Sequence, residues 1–259
     1  MTGNKPSVRY RLLRGWALRS RRVQSILRRI EGAVDVGTGA VLNRLLRDTE
    51  KEALSIDLYD ASFRPDNDRD GLYEWEQQWF ERRLPDPPAS ILIGAAGAGR
   101  EASALRELGY RVHAFEPSAS AVRLCQIKLG SESVAQASYE DLVETVLRGK
   151  STRLRLASEA RFDAVLLGWG SFGHVLQRAD RLELLRACDH LAPHGPILLS
   201  IFEPNATTVT DGTYYLPWGG FLVRPTPEEL DQHAKALNRQ LVVSLQSPSS
   251  YATLIPDAS

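Results

Sequence analysis

The chain has 259 residues, of which 43% are hydrophobic and 25% charged, and its formal net charge is zero. These values are typical of a globular protein with one large domain, or with one domain and an appendage. No apolar run approaches the ~20 residues that a membrane-spanning helix needs, and the N-terminus lacks the apolar segment of a secretory signal. Cys125 and Cys188 are expected to be reduced thiols, and no histidine lies at metal-ligand spacing from them. We therefore expect a cytoplasmic protein without a bound metal.

Positive charge is concentrated at the N-terminus, where residues 1–30 hold nine Lys and Arg residues and no acidic residue. Apolar residues recur at helical spacing between these arginines, which predicts a basic amphipathic helix over residues 8–31. Such a helix packs on the protein's own acidic surface or on a partner subunit, contacts nucleic acid or an anionic membrane, or is a disordered leader. We favour the first interpretation, which includes a homodimer through the N-terminal helices, and do not expect a nucleic-acid partner.

Two further helices are predicted before the first strand. Apolar residues fall on one side of residues 38–55, and a third helix covers residues 71–84, where Pro85 ends it. Between them, residues 56–70 are rich in turn formers and are predicted to be a polar loop. Residues 1–85 are therefore expected to form an N-terminal helical extension.

Strands and helices alternate in the remaining part, residues 86–259. This alternation predicts a parallel sheet covered by helices on both faces. The C-terminal segment differs, because its last two strands are expected to pair as an antiparallel hairpin. The predicted strands are 90–94, 111–115, 133–136, 162–167, 196–202, 220–224, 240–246 and 250–255, and the predicted helices are 99–108, 118–129, 138–148, 178–191 and 226–238.

A turn of small residues follows the first strand, and a carboxylate ends the second. The turn is Gly94-Ala95-Ala96-Gly97-Ala98-Gly99, and the carboxylate is Glu116. Small residues let backbone N–H groups approach a ligand closely, and a carboxylate about 20 residues further on can accept two ribose hydroxyls. The pair indicates a cofactor that contains a nucleoside.

The order of motifs around this turn resembles that of the class I S-adenosylmethionine-dependent methyltransferases. The resemblance covers residues 88–255 and includes the Gly97-Ala98-Gly99 turn, Glu116 at the second strand end and a polar segment at residues 138–141. It continues with Phe-Asp-Ala-Val-Leu-Leu at 162–167 and Leu-Ala-Pro-His-Gly at 191–195. It implies a three-layer α/β/α Rossmann-like fold, with a seven-stranded, mostly parallel sheet and an antiparallel C-terminal strand.

The resemblance also implies S-adenosylmethionine as cofactor and a set of contacts for it. Glu116 would accept the ribose hydroxyls, residues 137–141 would flank the adenine, and Trp169 would lie near the cationic sulfonium. Glu140 or Asp141 could accept a hydrogen bond from the adenine amino group, although a helix cap formed by Ser138 and Asp141 is an equally good account of this segment. The cofactor-binding candidates are Gly94, Ala95, Ala96, Gly97, Gly99, Glu116, Pro117, Tyr139, Glu140, Gly168, Trp169 and Tyr59.

Two residues depart from the family pattern. Ile93 stands where an acidic residue is usual, and Ala95 stands where glycine is usual. The family's acidic residue helps to hold the methionine amino group, so another side chain has to serve here. Glu101 is one candidate, although a carboxylate there also stabilises a helix N-terminus. Tyr59 or Asp60 is another, closing over the methionine end.

Methyl transfer needs an aligned nucleophile and, for an oxygen or a protonated nitrogen, a group that takes a proton. His174 follows the fourth strand and is the best candidate for this base. The segment 203–220 is predicted to be a substrate wall, with Tyr214, Tyr215 and Trp218 as candidate contacts. The helices at 38–84, with Tyr73, Trp75, Trp79 and Phe80, would supply the opposite wall, although core packing is an alternative for Trp75 and Trp79.

The sequence therefore predicts a methyltransferase that acts on oxygen or nitrogen of a small molecule. The loop after the fourth strand lacks the Asn/Asp-Pro-Pro-Tyr/Phe motif that grips planar amino groups of DNA bases and protein glutamine. Two alternatives stay open. One is an RNA methyltransferase that uses the basic N-terminus, and the other is a methyltransferase-like binding protein without transfer activity.

Overall fold

The computed structural model describes residues 8–62, 71–154, 160–201, 208–210, 212–246 and 249–257. The helices are α1 (Val8–Leu45), α2 (Asp48–Ser62), α3 (Glu74–Arg83), α4 (Arg100–Glu107), α5 (Ala119–Leu129), α6 (Tyr139–Arg148), α7 (Arg178–Leu191) and α8 (Pro227–Ala236). The strands are β1 (Ser90–Gly94), β2 (Arg111–Glu116), β3 (Val134–Gln136), β4 (Ala164–Leu167), β5 (Ile197–Ile201), β6 (Thr208–Thr210), β7 (Thr213–Leu216), β8 (Gly220–Val223), β9 (Arg239–Gln246) and β10 (Ser249–Pro256). Single 3-10 turns cover Ser131–Ser133 and Ser171–His174.

Seven strands form one sheet in the order β3-β2-β1-β4-β5-β10-β9. The pairs among β1 to β5 are parallel, whereas β10 is antiparallel to both β5 and β9. This confirms the predicted mostly parallel sheet and its antiparallel C-terminal strand. The chain runs outward from β1 to β3 and then returns to β4 on the other side of β1. Strand order therefore reverses between β1 and β4, where the carboxyl ends leave a crevice.

The central strands are buried on both faces, as parallel strands covered by helices must be. Alternation along β1 sends Ile91 and Ile93 to a core that includes Trp79 and Leu105. Leu92 points the other way, to a core that includes Phe172. Two hydrophobic layers therefore hold helices against opposite faces of the sheet.

The N-terminal helices differ from the prediction in length and boundaries. The helices predicted at 8–31 and 38–55 are wrong in extent, because α1 is continuous to Leu45. Gly32 and Gly37 lie between the two predicted helices but are part of the continuous α1. An added Cβ at either would meet nothing within 4 Å, so neither glycine is required by close packing. The break comes at Arg47, where the Glu50 carboxylate accepts hydrogen bonds from both the backbone N–H and the guanidinium.

The polar loop predicted at 56–70 is wrong over its first half, because α2 continues to Ser62. No glycine or proline interrupts this stretch. The Asp60 carboxylate accepts hydrogen bonds from Ser118 Oγ at 2.5 Å and from Ser120 N–H at 3.0 Å. These bonds join the last turn of α2 to the start of α5. The second half of the predicted loop, residues 63–70, lies outside the described residues.

A second, three-stranded antiparallel sheet has the order β6-β7-β8 and packs against α1 and α2. The sequence predicted a strand at 220–224, but the segment before it was expected only to form a wall. Ser55 connects α2 to β8 of this second sheet, because its hydroxyl accepts a hydrogen bond from Phe221 N–H at 2.9 Å. Within the wall segment, residues 203–207 and Asp211 lie outside the described residues.

Among the described helices, none is long and apolar enough to cross a membrane. Cys125 and Cys188 are both buried free thiols. The predicted boundary after residue 85 falls between α3 and β1.

Replacing Gly220 with alanine should detach the second sheet from α2. Gly220 has φ +73°, and an added Cβ would lie 2.5 Å from Ser55 Cα and closer still to its hydroxyl. We expect Gly220→Ala to lower the free energy of unfolding by about 2 kcal/mol, because a backbone atom must move. Urea denaturation would measure this loss.

Gly219→Ala is the matched control, because an added Cβ there makes ordinary contacts with Leu216 at 3.7 Å or more. Equal stability of the two variants would contradict the contact between α2 and β8.

Candidate functional site

A cavity of about 290 Å³ lies at the carboxyl ends of β1, β2, β3 and β4 and is closed by α2 and the second sheet. This is the crevice where strand order reverses, which is the usual ligand site of such sheets. The cavity is lined by Thr49, Glu52, Ala53, Ser55, Ile56, Tyr59, Ala95, Phe115, Glu116, Pro117, Ser118, Ser138, Tyr139, Glu140, Gly168, Trp169, Gly170, Ser171, His174, Val175, Leu216, Trp218, Gly219 and Leu222.

From the turn after β1, Ala95 is the residue that lines the cavity. Ala95 has φ +50°, a conformation that favours glycine, and glycine is usual here in the family that the sequence resembles. Ala96 N–H donates to Phe115 O at 3.1 Å, and Gly97 N–H donates to Glu116 Oε2 at 2.9 Å. Gly99, with φ +82°, is the N-cap of α4. The turn's own backbone is therefore tied to β2.

Gly94 is required by close packing beneath the cavity rather than by the turn. An added Cβ would lie 2.8 Å from ring atoms of both Phe115 and Tyr139. Ile93, beside it, is fully buried in the core under α3 and α4. The departure at Ile93 thus replaces a polar group with a packed side chain.

Glu116 is the buried carboxylate of the cavity, with 3% of its surface exposed. It ends β2 and accepts hydrogen bonds from the N–H groups of Gly97 and Ser118, at 2.9 and 2.8 Å. Burial raises the pKa of Glu116 to about 7, although both backbone bonds oppose the shift and the Asp60 charge adds to it. At neutral pH this carboxylate is therefore poised between its two forms.

One face of α2 forms a wall that the sequence did not predict as a whole. Its residues Thr49, Glu52, Ala53, Ile56 and Tyr59 recur at helical spacing and all line the cavity. The Tyr59 hydroxyl lies 3.1 Å from the position of an added Cβ at Gly97, so Tyr59 reaches over the glycine turn. Of this face, only Tyr59 was predicted from the sequence, and the helical spacing of the other residues is the signal that could have identified them.

Asp60 does not line the cavity, because its carboxylate is used at the N-terminus of α5. Hydrogen bonds from Ser118 and Ser120 lower the pKa of Asp60 to about 2. Of the two residues expected to close over the methionine end, Asp60 therefore holds α2 in place, and Tyr59 faces the turn.

The segment after β3 begins α6 and contributes both a cap and lining residues. Ser138 and Asp141 form a capping box, with Ser138 N–H donating to Asp141 Oδ2 at 2.9 Å. The exposed Glu140 lines the cavity, whereas the Tyr139 hydroxyl lies 2.6 Å from Ser171 Oγ. Burial raises the pKa of Tyr139, so its hydroxyl stays protonated. Glu140 is thus the carboxylate of this segment that is available to a ligand.

The loop after β4 brings Gly168, Trp169 and His174 to the cavity. His174 Nδ1 lies 2.8 Å from Phe221 O, and a carbonyl only accepts, so Nδ1 carries the hydrogen and donates it. Burial lowers the pKa of His174, opposed by this bond. The neutral ring therefore has its lone pair on Nε2, the form that acts as a base.

Trp169 is half-exposed at the cavity and belongs to a cationic stack. Its ring is stacked on Tyr73 with centroids 5.3 Å apart, and Arg100 Cζ lies 5.1 Å from the Trp169 centroid. Arg100 in turn pairs with Glu76, with both N···O distances at 2.6 Å. The stack connects the loop after β4 to α3 and α4.

Glu101 is buried behind the cavity, next to Gly168. An added Cβ at Gly168 would clash with the Glu101 carboxylate, because it would lie 3.0 Å or less from both carboxylate oxygens. Arg100 lies 3.3 Å away, but burial and the nearby Glu76 charge raise the pKa of Glu101. The buried carboxyls of Glu76 and Glu101 thus share one arginine, and a further positive charge nearby would favour the ionised form of Glu101.

The structure separates the three predicted substrate residues. Trp218 lines the cavity and is 46% exposed, whereas Tyr214 and Tyr215 are absent from its described lining. Tyr215 instead packs on Phe221, with ring centroids 5.2 Å apart.

The opposite wall was predicted from the helices at 38–84, and within that range α2 lines the cavity, whereas the four aromatic residues named for the wall are absent from its described lining. Trp79 and Phe80 are buried in the core. Trp79 Nε1 donates to Thr253 Oγ1 at 3.0 Å, and its ring stacks on Tyr251 with centroids 4.7 Å apart. Core packing therefore accounts for Trp79, and α3 fastens the N-terminal helices to β10.

No family model matches the sequence, and no curated protein matches it. Several solved structures are similar to it. An S-adenosylmethionine-dependent methyltransferase from Bacteroides fragilis, in complex with S-adenosyl-L-homocysteine, superposes with a TM-score of 0.54 at 18% identity, over 80% of this chain and 94% of that one. The CcbJ methyltransferase from Streptomyces caelestis gives 0.53 at 18% identity, over 78% and 96%. The magnesium protoporphyrin IX methyltransferase ChlM from Synechocystis PCC 6803, with bound S-adenosylmethionine, gives 0.54 at 13% identity, over 82% and 98%.

The chain has the class I methyltransferase fold. The similarity extends over nearly the whole length of these structures. Within this methyltransferase fold, the cavity lies at the carboxyl edge of the sheet and contains a buried carboxylate, a neutral histidine and two half-exposed tryptophans. These groups can bind hydroxyls, accept a proton and face a cation.

Proposed function

We propose that the protein is an S-adenosylmethionine-dependent methyltransferase that acts on oxygen or nitrogen of a small molecule. The observation that carries the proposal is the buried Glu116 carboxylate, which lines the cavity at the tip of β2 in a methyltransferase fold. A carboxylate at this position is suited to accept the two ribose hydroxyls of a nucleoside. A cytoplasmic location belongs to the same proposal, and the two buried free thiols support it.

The residues present fit this cofactor. Glu116 would hold the ribose, Glu140 would accept from the adenine amino group, and Trp169 would face the sulfonium. The ammonium of the methionine end would pair with Glu101, because burial and the Glu76 charge raise the pKa of this carboxyl and a nearby positive group would favour its ionised form. When bound, the cofactor supplies a methyl carbon already activated by its sulfonium.

His174 would take the acceptor's proton. Its Nδ1–H is fixed on Phe221 O, so Nε2 is the basic atom, and burial keeps the ring neutral at pH 7. A proton removed from a hydroxyl or an ammonium frees the lone pair that attacks the methyl carbon. The second sheet thus orients the base through a backbone carbonyl.

Calorimetry with S-adenosylhomocysteine tests the cofactor assignment and its pH dependence. Ribose hydroxyls donate to an ionised carboxylate, and the pKa of Glu116 is raised to about 7. Affinity should therefore rise up to about tenfold per pH unit as pH increases towards 7 and then level off. Glu116→Ala should weaken binding by about 10- to 100-fold and remove this pH dependence.

Glu107→Gln, on the exposed end of α4, should leave both properties unchanged. Absence of binding at millimolar ligand would contradict the enzyme assignment and favour a methyltransferase-like protein without transfer activity.

His174→Gln should lower kcat by about 10²- to 10⁴-fold while the Kd for S-adenosylhomocysteine stays the same, because a proton acceptor is lost and the cofactor contacts are not. Release of S-adenosylhomocysteine with a panel of alcohols and amines would measure the rate. His190→Gln, at an exposed position of α7, is the control. A kcat for His174→Gln equal to that of this control would show that His174 is structural.

We also propose a homodimer through α1. Among the residues of this helix whose exposure the structure describes, five large apolar residues are exposed, at spacings of seven, four, seven and four: Val23, Ile30, Val34, Val41 and Leu45. This spacing is close to that of a coiled-coil seam, and a second copy presents the same seam.

Sedimentation of the full chain should show a dimer for the wild type and a monomer for Val34→Asp. Ala33→Asp adds the same charge beside the seam, at an exposed position, and should stay dimeric. A monomeric wild type would overturn this proposal.

A further inference from the structure

The carboxylates that line the described part of the cavity face no basic side chain of lysine or arginine there. Among the described residues that line it, three are glutamates and none is a lysine or an arginine. Under the proposed function, Glu116 and Glu140 face the cofactor, and Glu52 is the cavity glutamate that has no assigned ligand. A buried or half-buried carboxylate in a binding cavity disfavours anionic ligands and favours cationic ones.

Glu52 lies in the part of the cavity that is formed by α2 and the second sheet. Its Oε1 accepts a hydrogen bond from Leu176 N–H at 3.1 Å, just after the turn that carries His174. Burial raises the pKa of Glu52, the Leu176 bond opposes this, and the charges of Asp180, Glu140 and Asp48 raise it further. The three charges that raise the pKa of Glu52 are all negative, and an incoming cation would offset their repulsion.

The same cavity has apolar and aromatic lining residues. They include Ile56, Val175, Leu216, Leu222 and the half-exposed Trp218. A tryptophan face attracts an ammonium group by a cation–π interaction. His174 lines the same cavity, with Nε2 as its basic atom. The combination suits an ammonium group on an apolar body, next to a base.

We propose that the methyl acceptor is an amine with an apolar body and that Glu52 binds its ammonium form. The assignment rests on the proposed function, which it narrows from oxygen or nitrogen to nitrogen. The ammonium gives one proton to His174 Nε2, and its freed lone pair forms the N–C bond to the methyl group. The C–S bond breaks, its electron pair stays on sulfur, and the products are S-adenosylhomocysteine and the methylated ammonium. His174 returns its proton to solvent.

Three probes of one shape and different charge test the assignment at pH 7: benzylamine (cationic), benzyl alcohol (neutral) and benzoate (anionic). Their binding to the full chain is measured by calorimetry at millimolar concentration, with and without S-adenosylhomocysteine. Glu52→Gln keeps an oxygen for the Leu176 N–H but loses the charge. Asp57→Asn removes the same charge from an exposed position of α2 and is the matched control.

We expect the wild type and Asp57→Asn to bind benzylamine about tenfold more tightly than benzyl alcohol, with benzoate weakest. In Glu52→Gln the affinity for benzylamine should fall to that of the alcohol, while the alcohol's affinity stays the same. Absence of an amine preference in the wild type, including absence of amine binding, would overturn the assignment, as would an unchanged preference in Glu52→Gln. The arm without S-adenosylhomocysteine keeps this outcome separate from a failure of the cofactor to bind.

Discussion

The carboxylate of Glu116 is held between the N–H groups of Gly97 and Ser118, and the site is organised around this contact. It joins the turn after β1 to the start of α5 across two neighbouring parallel strands. Burial disfavours the ionised form of Glu116, and the two N–H donors partly offset this effect, so its pKa lies near 7 rather than far above it. The ionised carboxylate can accept further hydrogen bonds from a ligand that carries donors.

The second constraint is the position of α2, which covers the cavity without belonging to the central sheet. Asp60 fixes its last turn to Ser118 and Ser120, and Ser55 fixes its middle to Phe221. Phe221 O also accepts the His174 Nδ1–H. The helix α2, the second sheet and His174 are thus connected through one strand, β8. We infer that a change in β8 would alter the position of α2 and the orientation of His174 together.

Much of the central sheet could be predicted from the sequence, because each strand carries its own signal. The strands at 90–94 and 111–115 are short apolar runs bounded by turns, and their observed bounds differ by at most one residue. Glu116 could be placed at a strand tip for the same reason. The helix boundaries near residue 47 were missed, since the break depends on a Glu50 side chain rather than on a glycine or proline.

The sequence by itself determined the strand–helix order, the glycine turn and the carboxylate that follows it, because these depend on neighbours in the chain. The tertiary structure decided what covers them. The face of α2 mixes Glu52, Ser55 and Ile56 without a simple polar or apolar pattern, and Ser55 meets a partner 166 residues away. Likewise, only packing shows that Trp218 reaches the cavity while Tyr215 turns to Phe221. Contacts between distant segments have no local periodicity, so the substrate side of the site is set by how the two sheets and α2 pack.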